Sequence, residues 1–554
     1  MMDMFCFQCS ETVNAKGCTV KGVCGKDSTT AALQDSLVWS LKGLSYWAVK
    51  AREANVNTDE ADLFVAESLF STLTNVNFDP DRIFGLTQKA FKLRTEFMKA
   101  IEEKTGGLPP ADEIPYAATW RNDVVFDELK EMGISVGPLS TVDEDIRSLR
   151  ELLVYGLKGI SAYADHAHIL NHSDDNILHF IEETLVATLD DSLLADDYVA
   201  LVMKTGEQAV NVMALLDKAN TSSFGNPEIT MVFTGTIDGP GILVSGHDLL
   251  DMRELLEQAA QQGVNVYTHG EMLPAHAYPE LKKFQNLVGN FGTSWYNQNR
   301  EFEAFKGPIV MTTNCLQKPK DTYKDRIYTT GLVGWPGIRH ISNRTDGSTK
   351  DFSEVIEQAL RIGSIGKTDG KKIPVGFAHN QLSELSDKVI AAVKSGDISR
   401  FIVMAGCDGR AKERHYYTDV AEQLPSDTVI LTAGCAKYRY NMLDLGDIGG
   451  IPRVIDAGQC NDSYSLAVTA LKLKEAFGLS DINDLPISYD IAWYEQKAVA
   501  VLLALLYLGI KKIRLGPVLP AFLSPNIAKV LVEKFEIMAI GEASEDVSLM
   551  MAGK

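Results

Sequence analysis

The residues of this 554-residue chain best suited to chemistry are its eight cysteines, which fall into two sets of four. The first set, Cys6, Cys9, Cys18 and Cys24, lies within nineteen residues with the spacing C-x2-C-x8-C-x5-C. Four thiolates so close in sequence can surround one metal centre, and sulfur ligands select zinc or an iron–sulfur cluster. A lone CxxC favours zinc, whereas the widely spaced second pair favours a cluster. Spacing alone leaves both metals open.

The second set of cysteines follows apolar, β-branched segments. Cys315 ends PIVMTTNC, Cys407 ends FIVMAGC, Cys435 ends TVILTAGC, and Cys460 follows the strand-like IPRVIDAGQ. Such segments are typical of buried parallel strands, whose carboxyl ends form the ligand-binding edge of an open sheet. A single cysteine of this kind is more often a small core residue. Because four share one structural position, we expect them to converge on one site.

Nitrogen and oxygen donors occupy similar positions in the sequence. His247 follows GILVSG, Glu271 follows VNVYTHG, and Glu495 follows ISYDIAWY, with Lys497 two residues later. Each acid taken separately is more often a solvated loop residue or a helix cap. Their positions after predicted strands, like those of the cysteines, favour a role in metal binding, but position alone does not select them among 74 acidic residues and ten histidines.

Three more histidines, His166, His168 and His172, lie between two predicted helices in YADHAHILNHSDD. Histidine is a common metal ligand, but a polar helix junction accounts for this cluster as well. We expect the junction, with a metal site as the alternative.

The net charge of −21 argues against nucleic acid or an anionic membrane as a partner, since either requires a basic face. The N-terminal segment lacks the apolar core of an export signal. The most apolar run, Ala498 to Ile510, is too short to span a bilayer and predicts a buried helix. We therefore expect a cytoplasmic protein with no membrane partner and with reduced thiols in place of disulfides.

The hydrophobic periodicity changes along the chain. From Ala31 to about Phe224 it is helical, whereas from Ile229 onwards strand-like and helical segments alternate. The sequence therefore predicts a multidomain fold with an N-terminal α-helical bundle domain (1–225) and two α/β Rossmann-like domains with mainly parallel sheets (226–380 and 381–554). The glycine-rich stretches lack the spacing of a dinucleotide fingerprint. Electrons are therefore expected to come from an external electron-donor protein.

Eight separated motifs follow one another along nearly the whole chain. They are MFCFQCSETVNAKGCTVKGVCGK, SGHDLLDM, YTHGEMLPAH, TTNCLQKP, MAGCDGR, TAGCAKYRYN, DAGQCNDSYS and AWYEQKAVAVLLALL. In these motifs the chain resembles a known family, the hybrid-cluster proteins, also called prismane proteins or hydroxylamine reductases. The additional Met1, Met2 and Asp3 are the one departure from the pattern.

The resemblance implies two metal centres. The short spacing implies that Cys6, Cys9, Cys18 and Cys24 bind a [4Fe-4S] cluster. A hybrid iron–sulfur–oxygen cluster, [4Fe-2O-2S], is implied for a second set of ligands, with Lys497 beside it. These ligands are His247, Glu271, Cys315, Cys407, Cys435, Cys460 and Glu495, and the cysteine at the position of Cys407 carries a persulfide in the family.

The implied activity is the reduction of hydroxylamine to ammonia and water, with electrons entering through the N-terminal cluster. Glu271 is expected to be the most mobile ligand, and Glu495, Lys497 or His247 is expected to supply protons. Two alternatives are reduction of nitric oxide to nitrous oxide and carbon monoxide dehydrogenation. A third is a nitrogen-oxide sensor or protein-nitrosylating partner that uses Cys407 as its reactive sulfur.

Overall fold

A computed structural model describes residues 4–121, 123–345 and 347–554, so Met1 to Asp3 lie outside the described residues. Up to Phe224 the described chain is almost entirely helical. Its helices are α1 (Ser28–Glu53), α2 (Asp59–Ser71), α3 (Pro80–Thr105), α4 (Tyr116–Thr119), α5 (Phe126–Val136), α6 (Glu144–Ile169), α7 (Asp175–Ala187) and α8 (Ala195–Phe224). The predicted helical region is therefore confirmed.

Helix α1 shows why this region folds as it does. The Asp27 side chain accepts a hydrogen bond from the Thr30 backbone N–H at 2.8 Å and caps the start of the helix. Leu33, Leu37 and Leu41, spaced one helical turn apart, are completely buried. Their burial against α3, α5 and α7 makes α1 the central helix of the bundle.

Beyond Phe224 the described residues alternate between strands and helices. The strands are β1 (Thr230–Phe233), β2 (Gly241–Ser245), β3 (Asn265–His269), β4 (Leu287–Asn290), β5 (Ile309–Met311), β6 (Ile327–Thr329), β7 (Arg339–His340), β8 (Lys372–Val375), β9 (Arg400–Gly406), β10 (Thr428–Thr432), β11 (Asp447–Ile448), β12 (Ile451–Pro452), β13 (Val454–Asp456), β14 (Ile487–Ala492), β15 (Ile513–Gly516) and β16 (Met538–Ala539).

The helices of this part cover the strands. They are α9 (Leu249–Gln261), α10 (Pro279–Lys282), α11 (Gln298–Ala304), α12 (Ser353–Ile362), α13 (His379–Glu384), α14 (Ser386–Ser395), α15 (Tyr416–Gln423), α16 (Ser463–Ala476), α17 (Gln496–Tyr507), α18 (Pro525–Phe535) and α19 (Ala543–Met551).

Two six-stranded sheets organise this half of the chain. The first has the order β4-β3-β2-β5-β6-β7 and the second the order β13-β10-β9-β14-β15-β16, and every pairing within them is parallel. Parallel strands run in one direction, so their carboxyl ends lie along one edge of each sheet. The chain is a multidomain α/β protein with parallel sheets and many helices. The boundaries at 225 and 380 stay predictions.

The first strand after Ile229 lies outside both parallel sheets. The segment ITMVFTGT yields β1, which pairs antiparallel with β8 in a separate two-stranded sheet and does not join the first parallel sheet. Its alternating exposure, with Met231 exposed and Val232 buried, reflects a ribbon that has only one covered face. Periodicity alone did not distinguish this ribbon from a βαβ strand.

The apolar run after Glu495 forms α17, as predicted, and it packs between α6 and α8 of the helical region. Helix α8 is long and apolar enough to cross a membrane by length and composition alone. Core helices also meet that criterion, and the contacts of α8 with α6 and α17 identify it as a packed helix.

Candidate metal centres

The first four cysteines are brought together by a tight loop ahead of α1. Cys6 and Cys18 form a two-way backbone bridge, with Cys6 N–H donating to Cys18 O at 3.1 Å and Cys18 N–H donating to Cys6 O at 2.8 Å. Burial, together with repulsion from Cys24 and Cys6, raises the pKa of the Cys9 thiol well above its ordinary value. Thiols that repel one another in this way require a cation to become thiolates.

This loop docks directly on the strand ends of the second sheet. Ser10 N–H donates to Tyr494 O at 3.0 Å, and the Glu11 carboxylate pairs with Arg410 at 3.0 Å. The fully buried Arg414 donates to Ser10 Oγ at 3.0 Å and to the backbone oxygen of Cys407 at 3.3 Å. The first set of thiols is therefore held against the loops that carry the second.

Cys407 and Cys435 each follow a glycine at the end of a parallel strand. Gly406 ends β9 with φ +109°, and Gly434 follows β10 with φ +87°, a region that other residues rarely adopt. A Cβ on Gly434 would lie 2.4 Å from the backbone oxygen of Gly406. These neighbouring glycines allow both strand ends to turn sharply and present their cysteines on the same side.

Cys315 reaches the site by a strained backbone. Its own φ is +72°, uncommon for a residue with a side chain, and Gln298 Nε2 donates to its backbone oxygen at 2.6 Å. The next residue, Leu316, donates its N–H to Asn75 O at 3.0 Å, which anchors the loop on the helical region. Strain of this kind persists where surrounding contacts fix the conformation, and it is common at functional sites.

His247, Glu271 and Cys460 converge from three loops, and one ligand atom from each lies within 4.8 Å of the others. His247 Nε2 is 3.8 Å from Glu271 Oε2 and 3.9 Å from Cys460 Sγ. Its Nδ1 lies 2.9 Å from Thr313 Oγ1, so a hydrogen on Nδ1 leaves the Nε2 lone pair facing the other two groups. Among the described residues this is the one such three-donor group found.

Glu495 and Lys497 lie at the start of α17. Glu495 caps the helix by accepting the Lys497 backbone N–H at 2.7 Å. The Lys497 ammonium donates to Asn314 Oδ1 at 2.8 Å and to His247 Nε2 at 3.0 Å, and it lies 3.8 Å from Glu495 Oε1. A single buried cation therefore contacts side chains from three separate loops.

Burial dominates the electrostatics of this second site. It raises the pKa of Cys315 and Cys435 well above the ordinary thiol value and that of Cys460 to about 11. It also raises the pKa values of Glu271 and Glu495, while Lys497 opposes the shift in both.

The two sets of thiols share one packed cluster. Cys9 of the first set packs with Cys435, Cys315 and Cys407 of the second set around two aromatic rings. These rings belong to Trp295 and Tyr494, whose centroids are 4.4 Å apart. At Cys9, therefore, the first set packs in the same cluster as three thiols of the second.

All twelve predicted site residues are thus found in two adjoining groups, with Lys497 among the second. Sequence reasoning missed several side chains that support them. Asn314 and Thr313 lie beside Cys315 in sequence and would have been found by examining its neighbours. The hydroxyl of Tyr163 on α6 donates to Cys460 Sγ at 3.4 Å, and nothing in the sequence distinguishes this tyrosine from other residues of the helix.

The three histidines of the helix junction do not form a metal group. His168 Nδ1 lies 2.9 Å from Ser173 Oγ, and His172 Nδ1 lies 2.8 Å from Leu170 O. His166 is buried within α6, its ring stacked 6.1 Å from that of His247. The junction interpretation therefore fits His168 and His172, while His166 belongs beside the second site.

The donor set fits the metal centres that the resemblance implies. All eight cysteines are free thiols, as expected for ligands. In the second site, thiols are combined with an imidazole and two carboxylates, a mixture of soft and hard donors suited to iron with both sulfide and oxide. Glu271 Oε1 is buried without a hydrogen-bond partner among the described residues, as a carboxylate oxygen reserved for a metal would be.

A parallel-sheet scaffold that holds four clustered thiols beside a mixed thiol, imidazole and carboxylate site offers donors suited to iron–sulfur centres. The chain belongs to the Prismane/CO dehydrogenase family, whose sequence profile matches residues 4–548. Proteins of this family carry iron–sulfur clusters. The family resemblance is therefore confirmed.

Close relatives and solved structures agree with this assignment. The chain is 68% identical over 558 residues to a hydroxylamine reductase of Kosmotoga olearia, which covers 100% of both chains. It is 62% identical to a hydroxylamine reductase of Thermosipho melanesiensis over 99% of this chain and 100% of the relative. Carbon monoxide dehydrogenase IV from Carboxydothermus hydrogenoformans has the same fold, with a TM-score of 0.55 and 16% identity, over 99% of this chain and 92% of that one.

Proposed function

We propose that this chain is a hydroxylamine reductase that converts hydroxylamine to ammonia and water. The observation that carries the proposal is the convergence of His247, Glu271 and Cys460 beside a buried lysine. The names of relatives 57–68% identical over nearly the full length support it. Hydroxylamine takes up two electrons and two protons as its N–O bond breaks, and the product nitrogen and oxygen leave as ammonia and water.

We assign a [4Fe-4S] cluster to Cys6, Cys9, Cys18 and Cys24, and a hybrid [4Fe-2O-2S] cluster to the second site. Its ligands are His247, Glu271, Cys315, Cys407, Cys435, Cys460 and Glu495. When bound, the iron of the second centre supplies a Lewis acid and the electrons that cleave the N–O bond. Cys407 and Cys460 line part of an apolar cavity of about 40 Å³, and we assign to Cys407 the persulfide that the family resemblance implies.

Lys497 is the side chain best placed to deliver a proton. Burial alone would lower its pKa, but the anionic forms of Cys460, Glu495 and Cys315 outweigh burial and raise it above the ordinary value. The ammonium has three N–H groups. Asn314 Oδ1 accepts one of them, and His247 Nε2, the other observed acceptor, would be taken by iron in the metal-loaded protein. A remaining N–H of Lys497 can donate to the leaving hydroxyl oxygen.

Glu271 is the ligand best able to move. Its Oε2 accepts the Cys460 backbone N–H at 2.8 Å, which holds one oxygen, whereas Oε1 has no partner among the described residues. Glu495 is fixed more firmly, because it caps α17 and lies near both Asn314 and Lys497. A shift of Glu271 opens space for hydroxylamine without dismantling the site, and Glu271→Ala with unchanged turnover would refute this role.

The direct test is turnover by anaerobically purified protein with reduced methyl viologen as the donor. We expect one ammonia formed and two viologens oxidised for each hydroxylamine consumed. Lys497→Met should reduce kcat while retaining the iron content, and Lys497→Arg should restore part of it. Formation of nitrous oxide from nitric oxide with a higher kcat/KM than that for hydroxylamine would favour the nitric oxide alternative. Transfer of NO to the thiols of a partner protein, without turnover of hydroxylamine, would favour the sensor alternative.

A further inference from the structure

An exposed patch of three valines and two lysines covers the loop that carries the first four cysteines. Val13, Val20 and Val23 are 41%, 73% and 44% exposed, although large apolar side chains are usually buried. Lys16 and Lys21 alternate with them in sequence and are also exposed. These five residues, which we call the valine–lysine patch, place apolar and positively charged side chains on the exposed surface of one loop.

The charge of this loop is opposite to that of the whole protein. Between Met4 and Lys26 the chain has three lysines and one acid, Glu11, whereas the full chain carries −21. Glu11 is neutralised by Arg410, which lies 3.0 Å away and also donates to Val23 O at 3.3 Å. A further lysine, Lys318, is exposed and packs beside Gly25. The loop therefore presents a local basic surface on an acidic protein.

The patch lies on the loop that carries the first set of thiols. Cys6 and Cys24 are partly exposed in the same loop, while Cys9 is buried and packs on Trp295 and Tyr494. Those two aromatic residues contact the thiols of the second site. A donor bound over the loop would therefore lie beside the first set of thiols, one of which, Cys9, packs in the same cluster as three thiols of the second site.

We propose that the valine–lysine patch is the docking site of a small, acidic electron-carrier protein, such as a ferredoxin. This inference rests on the proposed function, because it assumes that the first centre receives electrons for the second. Apolar contact with a charged rim is typical of transient redox interfaces, and opposite charges accelerate association. A second copy of this chain fits less well, since two identical basic patches would face each other and repel.

The test compares two electron donors on charge-reversed variants of the full, metal-loaded protein. Lys16→Glu with Lys21→Glu should raise the KM for a reduced acidic ferredoxin roughly tenfold or more. Turnover with methyl viologen, a small cationic donor that needs no protein interface, should stay within about twofold of the unaltered protein. The control variant, Lys92→Glu with Lys99→Glu on α3, changes the charge equally at side chains that are 75% and 78% exposed, and should leave both activities unchanged.

Two further measurements complete the test. Increasing salt should weaken ferredoxin-driven turnover of the unaltered protein and have little effect on the Lys16→Glu, Lys21→Glu variant. Val20→Ser should raise the ferredoxin KM without changing its salt dependence, because it removes apolar contact only. Iron content and the visible absorption spectrum of every variant should match the unaltered protein, which excludes damage to the first centre.

Each outcome separates this inference from the proposed function. Absence of viologen-driven hydroxylamine reduction would contradict the proposed function itself. Viologen-driven turnover with the same ferredoxin KM in both charge-reversed variants would overturn the docking site alone. A second contradictory result would be a Lys16→Glu, Lys21→Glu variant that changes its sedimentation coefficient and keeps the same ferredoxin KM. That result would identify the patch as a contact between copies of this chain and would also overturn the proposed docking site.

Discussion

The two candidate centres are built in opposite ways. The first is formed by four cysteines within nineteen residues of one loop, whereas the seven proposed ligands of the second come from positions 247 to 495. The first offers thiols alone, and the second combines thiols with an imidazole and two carboxylates. A uniform set of thiols favours electron transfer, while carboxylates leave a coordination position that can open. Local sequence thus suffices for the relay, but a substrate site needs the tertiary fold.

The largest expected effect comes from removing one thiol of the second centre. Cys435 lies at the carboxyl end of β10, so Cys435→Ala removes a ligand without altering the loop of the first centre. We expect turnover to fall by at least about 100-fold, more than the loss usually caused by altering a residue that only supports a ligand. Iron analysis and electron paramagnetic resonance should show loss of the second centre and retention of the first. Loss of both signals would show that the centres are not independent.

Removing one thiol of the first centre should have a smaller effect on turnover driven by methyl viologen. Cys18→Ala should remove about four of about eight irons, because a cubane cluster holds four. Turnover driven by a protein donor should disappear, while turnover driven by methyl viologen should remain in part, since a small donor can reach the second centre directly. Complete loss with both donors would contradict the assignment of the first centre as a relay.

A third variant separates ligand identity from ligand position. Gly434→Ala keeps every ligand but places a Cβ 2.4 Å from Gly406 O at a φ of +87°. The resulting shift of Cys435 should lower turnover by roughly 10- to 100-fold, as expected when a group that orients a ligand is lost. Gly478→Ala, at a φ of +65° but with open space around it, is the matched control and should leave turnover unchanged. Equal effects of both substitutions would indicate general backbone strain.

The sequence predicted the first centre more fully than the second, for a physical reason. The spacing of Cys6 to Cys24 reports a single loop, so proximity in sequence implies proximity in space. For the second site, buried strands before Cys407 and Cys435 indicated a common sheet edge, but His247 and Glu271 were chosen only through the family resemblance. The contacts of Arg414 and Tyr163 depend on how helices and sheets pack, which periodicity does not encode.

The same limit applies to β1. Its apolar residues match a strand in either a parallel sheet or a two-stranded ribbon, and only its partner β8, more than 130 residues later, distinguishes the two. Likewise, the helical stripes of α2, α3, α6 and α8 predicted the elements but not which faces meet α17. Local patterns therefore predicted most elements, while the contacts that position Glu495 and Lys497 had to come from the structure.

The smallest expected effect concerns the stability of the sheet that carries the second centre. Asp490 is fully buried in β14, five residues before Glu495, and burial raises its pKa to about 8. Between its unfolded pKa of about 4 and this value the native state binds a proton that the unfolded chain lacks. The free energy of unfolding therefore falls as pH rises through this window, by up to about 1.4 kcal/mol per pH unit. Asp490→Asn should abolish that contribution and melt at a higher temperature than the unaltered protein at pH 8.

Asp484→Asn, at an exposed position ahead of the same strand, should keep the original pH dependence. Thermal melts at pH 5.5, 7 and 8.5, followed by circular dichroism and by the absorption of each centre, provide the measurement. We expect the second centre to depend on the sheet and the first on its loop. Raising the pH should then lower the melting temperature of the second centre by more than it lowers the melting temperature of the first. An equal shift for both would show that the first centre also depends on the second sheet, through the contacts of Ser10 and Glu11.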